Sequence, residues 1–145
     1  MTGVTSAKPP LWFTLAAVAA LLWGLAGAFA CYSQLNLTPA ELAEMPTAQS
    51  DAFTAMPLFA RAAYVAATLG GLAGAILLLL RRRQAALGFV LSLLGISVQF
   101  GWVFLVFGGV RKLGPSALAF PGFIFTACAV EIWFCGFAAR RGWLA

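Results

Sequence analysis

Charge is what this sequence has least of. Only 9% of its 145 residues are charged and histidine is absent, whereas a soluble domain carries roughly 25% charged residues. Nine Lys and Arg with four Asp and Glu are too few to coat a globule of this size, so a water-soluble fold is excluded and the surrounding solvent is lipid. The three cysteines, Cys31, Cys128 and Cys135, have neither CxxC nor Cys/His spacing, which leaves no metal site and no disulfide framework indicated. GxSxG, HExxH and paired intramembrane carboxylates are missing as well. The Gly70-Gly71 step lies in mid-span with no Lys-Ser or Lys-Thr after it, so it is not a phosphate loop. No enzyme and no cofactor are expected. The formal charge of +5 is split into short basic groups beside apolar runs, with no basic face, so a nucleic-acid partner is not expected either.

What is there is apolar sequence, 63% of the chain. Crossing about 30 Å of hydrocarbon takes roughly 20 helical residues, and runs of that length lie at 11–31, 56–80, 84–107 and 117–138. They lack the alternation of barrel strands, and helices satisfy their own backbone in lipid. The expected fold class is an all-α membrane protein, a single-domain four-helix transmembrane bundle. Basic residues are retained on the cytoplasmic side during insertion. Lys8, Arg81, Arg82, Arg83, Arg140 and Arg141 share one side, which places both termini in the cytoplasm. Glu41, Glu44, Asp51, Arg111 and Lys112 fall on the other. A cleaved leader is the competing reading, since Ala28-Phe29-Ala30 before Cys31 has the form of a processing site. The run ahead of it is longer than the roughly 7–15 residues of a signal core, which favours a retained span.

The first outer loop carries Thr38-Pro39-Ala40-Glu41, a capping box with Pro at the first helical position. It predicts a short periplasmic helix from Pro39 to about Met45, its apolar side formed by Leu37, Leu42 and Met45. Pro46 ends it, and Pro57 suits the first turn of the second span. Arg81–Arg83 allow little more than a turn, making spans two and three an antiparallel hairpin.

Apolar burial does not drive helices together in lipid, so small residues that let backbones approach must do so. They recur at helical spacing: Ala20, Gly24, Gly27 and Cys31; Ala60, Ala63, Ala67, Gly70 and Gly74; Gly88, Ser92, Gly95, Gln99 and Trp102; Ala127, Cys128, Glu131, Cys135 and Ala138. These stripes are expected to face one another. Gly70-x-x-x-Gly74 reads first as packing within one chain and second as a homodimer contact. Trp12, Trp102, Trp133 and Trp143 lie near span ends and suit interfacial anchors.

The intramembrane polar residues are the candidate site. An acid well inside a span costs at least about 2.5–3.5 kcal/mol on insertion scales, so Glu131 calls for a reason. It is either a proton or cation site, a neutral group hydrogen-bonded to Ser92, or a carboxylate that reaches Arg140 near the membrane surface. Near the outer side Arg61, Tyr64 and Gln99 form a second group, joined by Tyr32 and Gln34. They line a shallow polar pocket, or Arg61 instead snorkels to Glu41, Glu44 or Asp51.

The segments LLWGLAGAFACYSQLNLTPAELAEMP, RAAYVAATLGGLAGAILLLLRRR and LSLLGISVQF resemble a widespread bacterial family of small four-span inner-membrane proteins, often labelled sugar transporters. The resemblance runs over nearly the whole chain and implies that architecture and location. It carries no functional residue over, and Gln99, Glu131, Tyr64 and the tryptophans are fewer polar groups than a sugar site combines. The sequence therefore reads first as a non-enzymatic accessory or binding subunit, its partners the bilayer and a larger membrane protein or a lipid-like ligand. The alternative is a small proton- or cation-coupled solute carrier, dimeric through Gly70 and Gly74, with Glu131 as its switch and Gln99 with Arg61 as its outer gate. Topology is testable at once: an alkaline phosphatase fused after Ala145 stays inactive and one inserted near Gln49 is active. The reverse pattern overturns the orientation.

Overall fold

The computed structural model describes residues 7–145, and among them every regular element is helical. Helix α1 runs Leu11–Leu35, α2 Pro39–Glu44, α3 Thr47–Ala55, α4 Leu58–Leu79 and α5 Ala85–Gly101. A π-helical turn, Trp102–Val106, extends α5; then come α6, Gly109–Leu113, a 3₁₀ turn, Pro115–Leu118, and α7, Ala119–Arg140. Four helical stretches, Leu11–Leu35, Leu58–Leu79, Ala85–Val106 and Pro115–Arg140, are long and apolar enough to cross a membrane, with mean hydropathy between 1.8 and 2.1. The chain is a multi-pass integral membrane protein with a four-helix bundle.

The centre of the bundle is the α4/α5 hairpin, and glycine sets its spacing. A Cβ on Gly88 would lie 2.7 Å from the Gly74 backbone, one on Gly70 2.9 Å from the Gly88 carbonyl oxygen, and one on Gly95 2.6 Å from the Ala63 carbonyl oxygen. The two backbones touch, which is the close approach that replaces hydrophobic drive inside lipid. This contact lies within one chain. Gly70 and Gly74 are buried in it, so the dimer contact through these two glycines is corrected.

Helix α1 packs on the outer side of α4, and α7 packs on α5. The α1/α4 contact is close at Gly24, whose added Cβ would meet the Leu72 backbone at 3.2 Å. The bond between α7 and α5 includes the Cys128 thiol donating to the Phe89 carbonyl at 3.2 Å. Helices α1 and α7 meet through aromatic side chains, Phe13 against Phe134 and Trp23 edge-on to Phe123. The four small-residue stripes therefore do not form one common interface: α4 and α5 share theirs, while much of the α1 and α7 stripes faces the space between.

At the end bearing the arginine turn the bundle is solid. Phe13, Ala17, Leu78, Phe89, Cys135, Trp143 and Leu144 form one buried cluster. Arg81 adopts a left-handed conformation, φ 59°. Its guanidinium donates to the carbonyls of Trp143 at 2.8 Å and Ala7 at 2.7 Å, and its own carbonyl accepts from the Ala145 N–H at 2.7 Å. Arg81 is thus a fastener between the hairpin and the segments flanking α1 and α7, as well as a topology signal. Trp143, at 9% exposure, belongs to this plug, and Trp102, at 8%, packs inside the other end. Trp12 and Trp133 remain exposed to the surroundings, so the anchor reading is corrected for the two buried rings.

Between α1 and α4 the capping box forms as expected: Glu41 accepts from the Thr38 N–H at 2.7 Å and the Thr38 hydroxyl accepts from the Glu41 N–H at 3.3 Å. Helix α2 ends at Glu44. Two expectations need correction. The first span continues to Leu35 rather than ending at residue 31, and the rest of the loop holds a second helix, α3, whose polar run Thr47-Ala48-Gln49-Ser50-Asp51 has no apolar period to betray it.

The hairpin contact yields a stability test. Gly95→Ala and Gly88→Ala drive a methyl into backbone, which costs about 1–3 kcal/mol or more by overpacking. Gly122→Ala and Gly136→Ala, where a Cβ meets nothing within 4 Å, leave thermal unfolding in detergent unchanged or raised. Equal responses at all four positions would remove the hairpin from its central role.

Candidate functional site

The half of the bundle away from the arginine turn is hollow. A cavity of about 530 Å³ lies between α1, α4, α5 and α7, within the 300–1,000 Å³ of ordinary small-molecule sites. It goes with the packing just described: the glycine contact fixes α4 on α5, α1 packs on α4 and α7 on α5, and the space lies between α1 and α7. Trp23, Gly27, Ala67, Ile96, Phe100 and Ile124 give it largely apolar walls.

Most of its polar groups are those the sequence singled out, differently assorted, with Gln49 and Thr68 in addition. Gln99, Tyr64, Gln34, Ser92 and Glu131 all line this one cavity. The Tyr64 hydroxyl donates to Gln34 Oε1 at 2.6 Å and ties α4 to α1 at the outer end. Ser92 projects its hydroxyl toward Gly71, where an added Cβ would stand 3.3 Å from Oγ. Glu131 lies one turn along α7 from Cys128 and is half-buried. The hydrogen bond expected between Glu131 and Ser92 is not formed among the described residues, and Arg140 is exposed at the end of α7. Glu131 and Gln99, read from sequence as two separate features, face one space.

Gln99 is the unusual member. It is 6% exposed, the one buried polar side chain among the described residues, and its Oε1 has no hydrogen-bond partner there. A buried amide oxygen left unpaired costs about 1–3 kcal/mol, and water cannot relieve it as freely in a bilayer as in a soluble protein. Ser92 stands seven residues before it on α5, about two turns or 10 Å away on the same face. The cavity therefore has one polar pole at Gln99, a second nearer the arginine turn at Ser92 and Glu131, and apolar surface between.

Arg61 belongs elsewhere. Its guanidinium donates to the carbonyls of Met56 at 3.1 Å and Phe53 at 3.2 Å, the carbonyls left without partners where α3 ends. It lines a separate, smaller cavity of about 220 Å³ with Leu37, Leu42 and Phe53. Both the pairing with loop carboxylates and the place beside Gln99 are corrected: the side chain fastens α3. Tyr32 points away from the site and is 71% exposed.

Helix α3 is the part of the site that sequence reading missed. Gln49, Ala52 and Phe53 from it, with Met56 just after it, close the end of the large cavity away from the arginine turn. Behind it, Met56, Ala60, Trp102 and Val103 form a small buried cluster on the π-helical turn. That turn, with the Phe107 N–H donating to the Trp102 carbonyl at 2.9 Å, lets α5 bring both Trp102 and Val103 inward beneath α3. The Thr38 backbone and hydroxyl bonds hold the Glu41 carboxyl below the usual carboxylate range, so α2, the other piece of this cover, keeps its cap at neutral pH.

Among the described residues no three His, Cys, Asp or Glu side chains converge as a metal site would need. Comparisons with protein-family models, with curated proteins and with solved structures give no match.

The cover can be loosened without touching the cavity. Arg61→Met removes two charge-assisted hydrogen bonds from the end of α3, so amide hydrogen exchange over 47–56 rises at least severalfold while α4 and α5 stay protected. Unchanged exchange in α3 would show that the apolar contacts of Met56 and Phe53 suffice.

Proposed function

We propose that this protein is a non-enzymatic binding subunit of a bacterial inner membrane, with both termini cytoplasmic, whose large cavity takes a lipid-like molecule dissolved in the bilayer. One observation carries the reading: an intramembrane cavity of about 530 Å³ is lined largely by apolar side chains, with Tyr64, Ser92, Gln99 and Glu131 among its few polar residues. An apolar body with a few placed polar groups is the general character of small-molecule sites. The outer location follows from the basic-residue asymmetry, and the bacterial setting from the resemblance of the sequence. A larger membrane protein remains the natural recipient of whatever is held, since the chain brings no chemistry of its own.

The second reading, a carrier, is supported by Glu131 and Gln99 facing the same cavity. Against it stands the solid end of the bundle, where Phe13, Phe89, Trp143 and Leu144 are buried together beneath the Arg81 fastening. Passage through the chain requires that cluster to part; binding requires only that the hollow end admit a molecule.

The test uses the purified full chain. Native mass spectrometry from mild detergent finds a small amphiphile bound to the wild-type protein. Gln99→Leu loses that adduct and melts at a higher temperature, because replacing an unpaired buried amide by an apolar side chain removes its desolvation cost. A wild-type protein free of any adduct, together with a Gln99→Leu variant that is less stable, would overturn the binding reading. Solute flux through liposomes that Glu131→Gln abolishes would favour the carrier.

A further inference from the structure

Among the described residues that line the large cavity, Glu131 is the one that carries charge, and no lysine or arginine stands beside it there. An acid inside a bilayer needs a partner, and where the chain offers no cation the partner is a proton, an ion or a ligand. The basic residues in question are engaged elsewhere. Arg61 donates to the Met56 and Phe53 carbonyls, and Arg81 to those of Trp143 and Ala7. The Arg141 guanidinium lies over the Phe137 ring, 5.1 Å from its centroid, and the Lys112 ammonium over Phe107 at 4.0 Å. Arg140 stands nine residues beyond Glu131 on α7, about 13 Å along the axis, and is exposed at the helix end.

The rest of the lining suits a positive charge on an apolar body. Ser92 of α5 brings a hydroxyl, which accepts as well as donates. Trp23 stands twelve residues into α1 and Glu131 twelve into α7, so both line the cavity near mid-span. The face of an indole attracts cations. From that level Ile96 and Phe100 of α5 and Ile124 of α7 continue the wall away from the arginine turn, apolar surface for an apolar body. A neutral molecule uses this wall and leaves the acid unanswered, and an anion is repelled by it. A cation uses both, and its pair with the carboxylate carries no net charge into the low-dielectric interior.

On the binding reading above, we propose that the cavity takes a lipophilic cation, an amine or onium group carried on an apolar body, with the Glu131 carboxylate as its counter-ion. The charged head lies among Glu131, Ser92 and Trp23, and the body extends along Ile96, Phe100 and Ile124.

The probes are tetraphenylphosphonium, tetraphenylborate and triphenylphosphine oxide, aromatic molecules of similar bulk that are cationic, anionic and neutral. Each is titrated separately into the full chain in dodecyl maltoside and followed by calorimetry, with detergent alone as the blank. The phosphonium keeps its charge at every pH, so no protonation of the probe enters. It saturates a site on the wild-type protein, and the borate and the oxide bind at least about tenfold more weakly, the size of a lost charged contact. Glu131→Gln keeps the shape and removes the charge. It weakens the phosphonium at least about tenfold, leaves the oxide unchanged and unfolds no earlier than the wild type, while Glu131→Asp retains the preference for the cation. Trp23→Leu weakens the phosphonium severalfold. Equal affinity of the wild-type protein for phosphonium and oxide overturns recognition of charge. Undiminished phosphonium binding in Glu131→Gln overturns the counter-ion, and in Trp23→Leu the placing of the head. If the oxide or the borate saturates a site and the phosphonium does not, the cation proposal falls while the binding reading stands. If none of the three saturates, both fall.

Discussion

Backbone contact between α4 and α5 is the constraint from which the remaining architecture follows. Inside lipid a helix gains nothing by exchanging lipid tails for leucine, so association must come from close van der Waals approach. Gly70, Gly74, Gly88 and Gly95 allow that approach along most of the hairpin, and the turn at Arg81–Arg83 holds the two helices in sequence. The pair is rigid for the same reason that it tolerates no substitution: every added carbon would meet backbone, which cannot rotate away. Helices α1 and α7 have no equivalent glycine seam between them. They are held to the pair at one end by the Arg81 fastening and the Trp143 plug; further along, α1 rests on α4 at Gly24 and through the Tyr64–Gln34 bond, α7 is tied to α5 by Cys128, and the two meet each other through aromatic rings.

The resulting asymmetry joins structure to function. One half of the bundle resembles a filled core, while the other half keeps space and sets three kinds of polar group at its edge. Those groups differ in how well they are served. Tyr64 and Gln34 satisfy each other; Cys128 is bound to a carbonyl; Gln99 is not satisfied. A bundle selected only for stability would carry Leu or Met at position 99, since an unpaired amide is costlier than an apolar group of similar shape. The unpaired Gln99 oxygen is enclosed by the bundle itself, while the residue as a whole borders the cavity.

Much of the architecture was legible in the sequence because the bilayer imposes few solutions. Long apolar runs give spans, Thr38-Pro39-Ala40-Glu41 gives a capped helix, and glycines at helical spacing give a packed pair. What escaped was decided by contacts distant in sequence. Helix α3 has no apolar periodicity of its own and is held by Arg61 and by burial of Ala52 and Met56. Trp143 looks like an interfacial anchor until Arg81 draws its carbonyl inward. The candidate residues Glu131, Ser92, Gln99, Tyr64 and Gln34 were each visible as polar groups in apolar runs, but their grouping was not. Sequence depth placed Gln99 near Arg61, whereas helix rotation turned Gln99 inward toward Ser92 and Glu131 and turned Arg61 toward the end of α3.

That rotation also explains how so short a chain can both pack tightly and keep a cavity. On α5 the residues Gly88, Ser92, Gly95 and Gln99 climb one stripe, and the stripe drifts slowly round the helix because its steps alternate between four and three residues. Its lower members abut α4 backbone, and Gln99 at its top reaches the space between α1 and α7. A single helical face thus serves both purposes: Gly88 and Gly95 meet α4 backbone, while Ser92 between them and Gln99 beyond them line the cavity. Close packing and cavity lining are interleaved on α5, so the contacts that hold the hairpin together also hold the wall of the cavity in place.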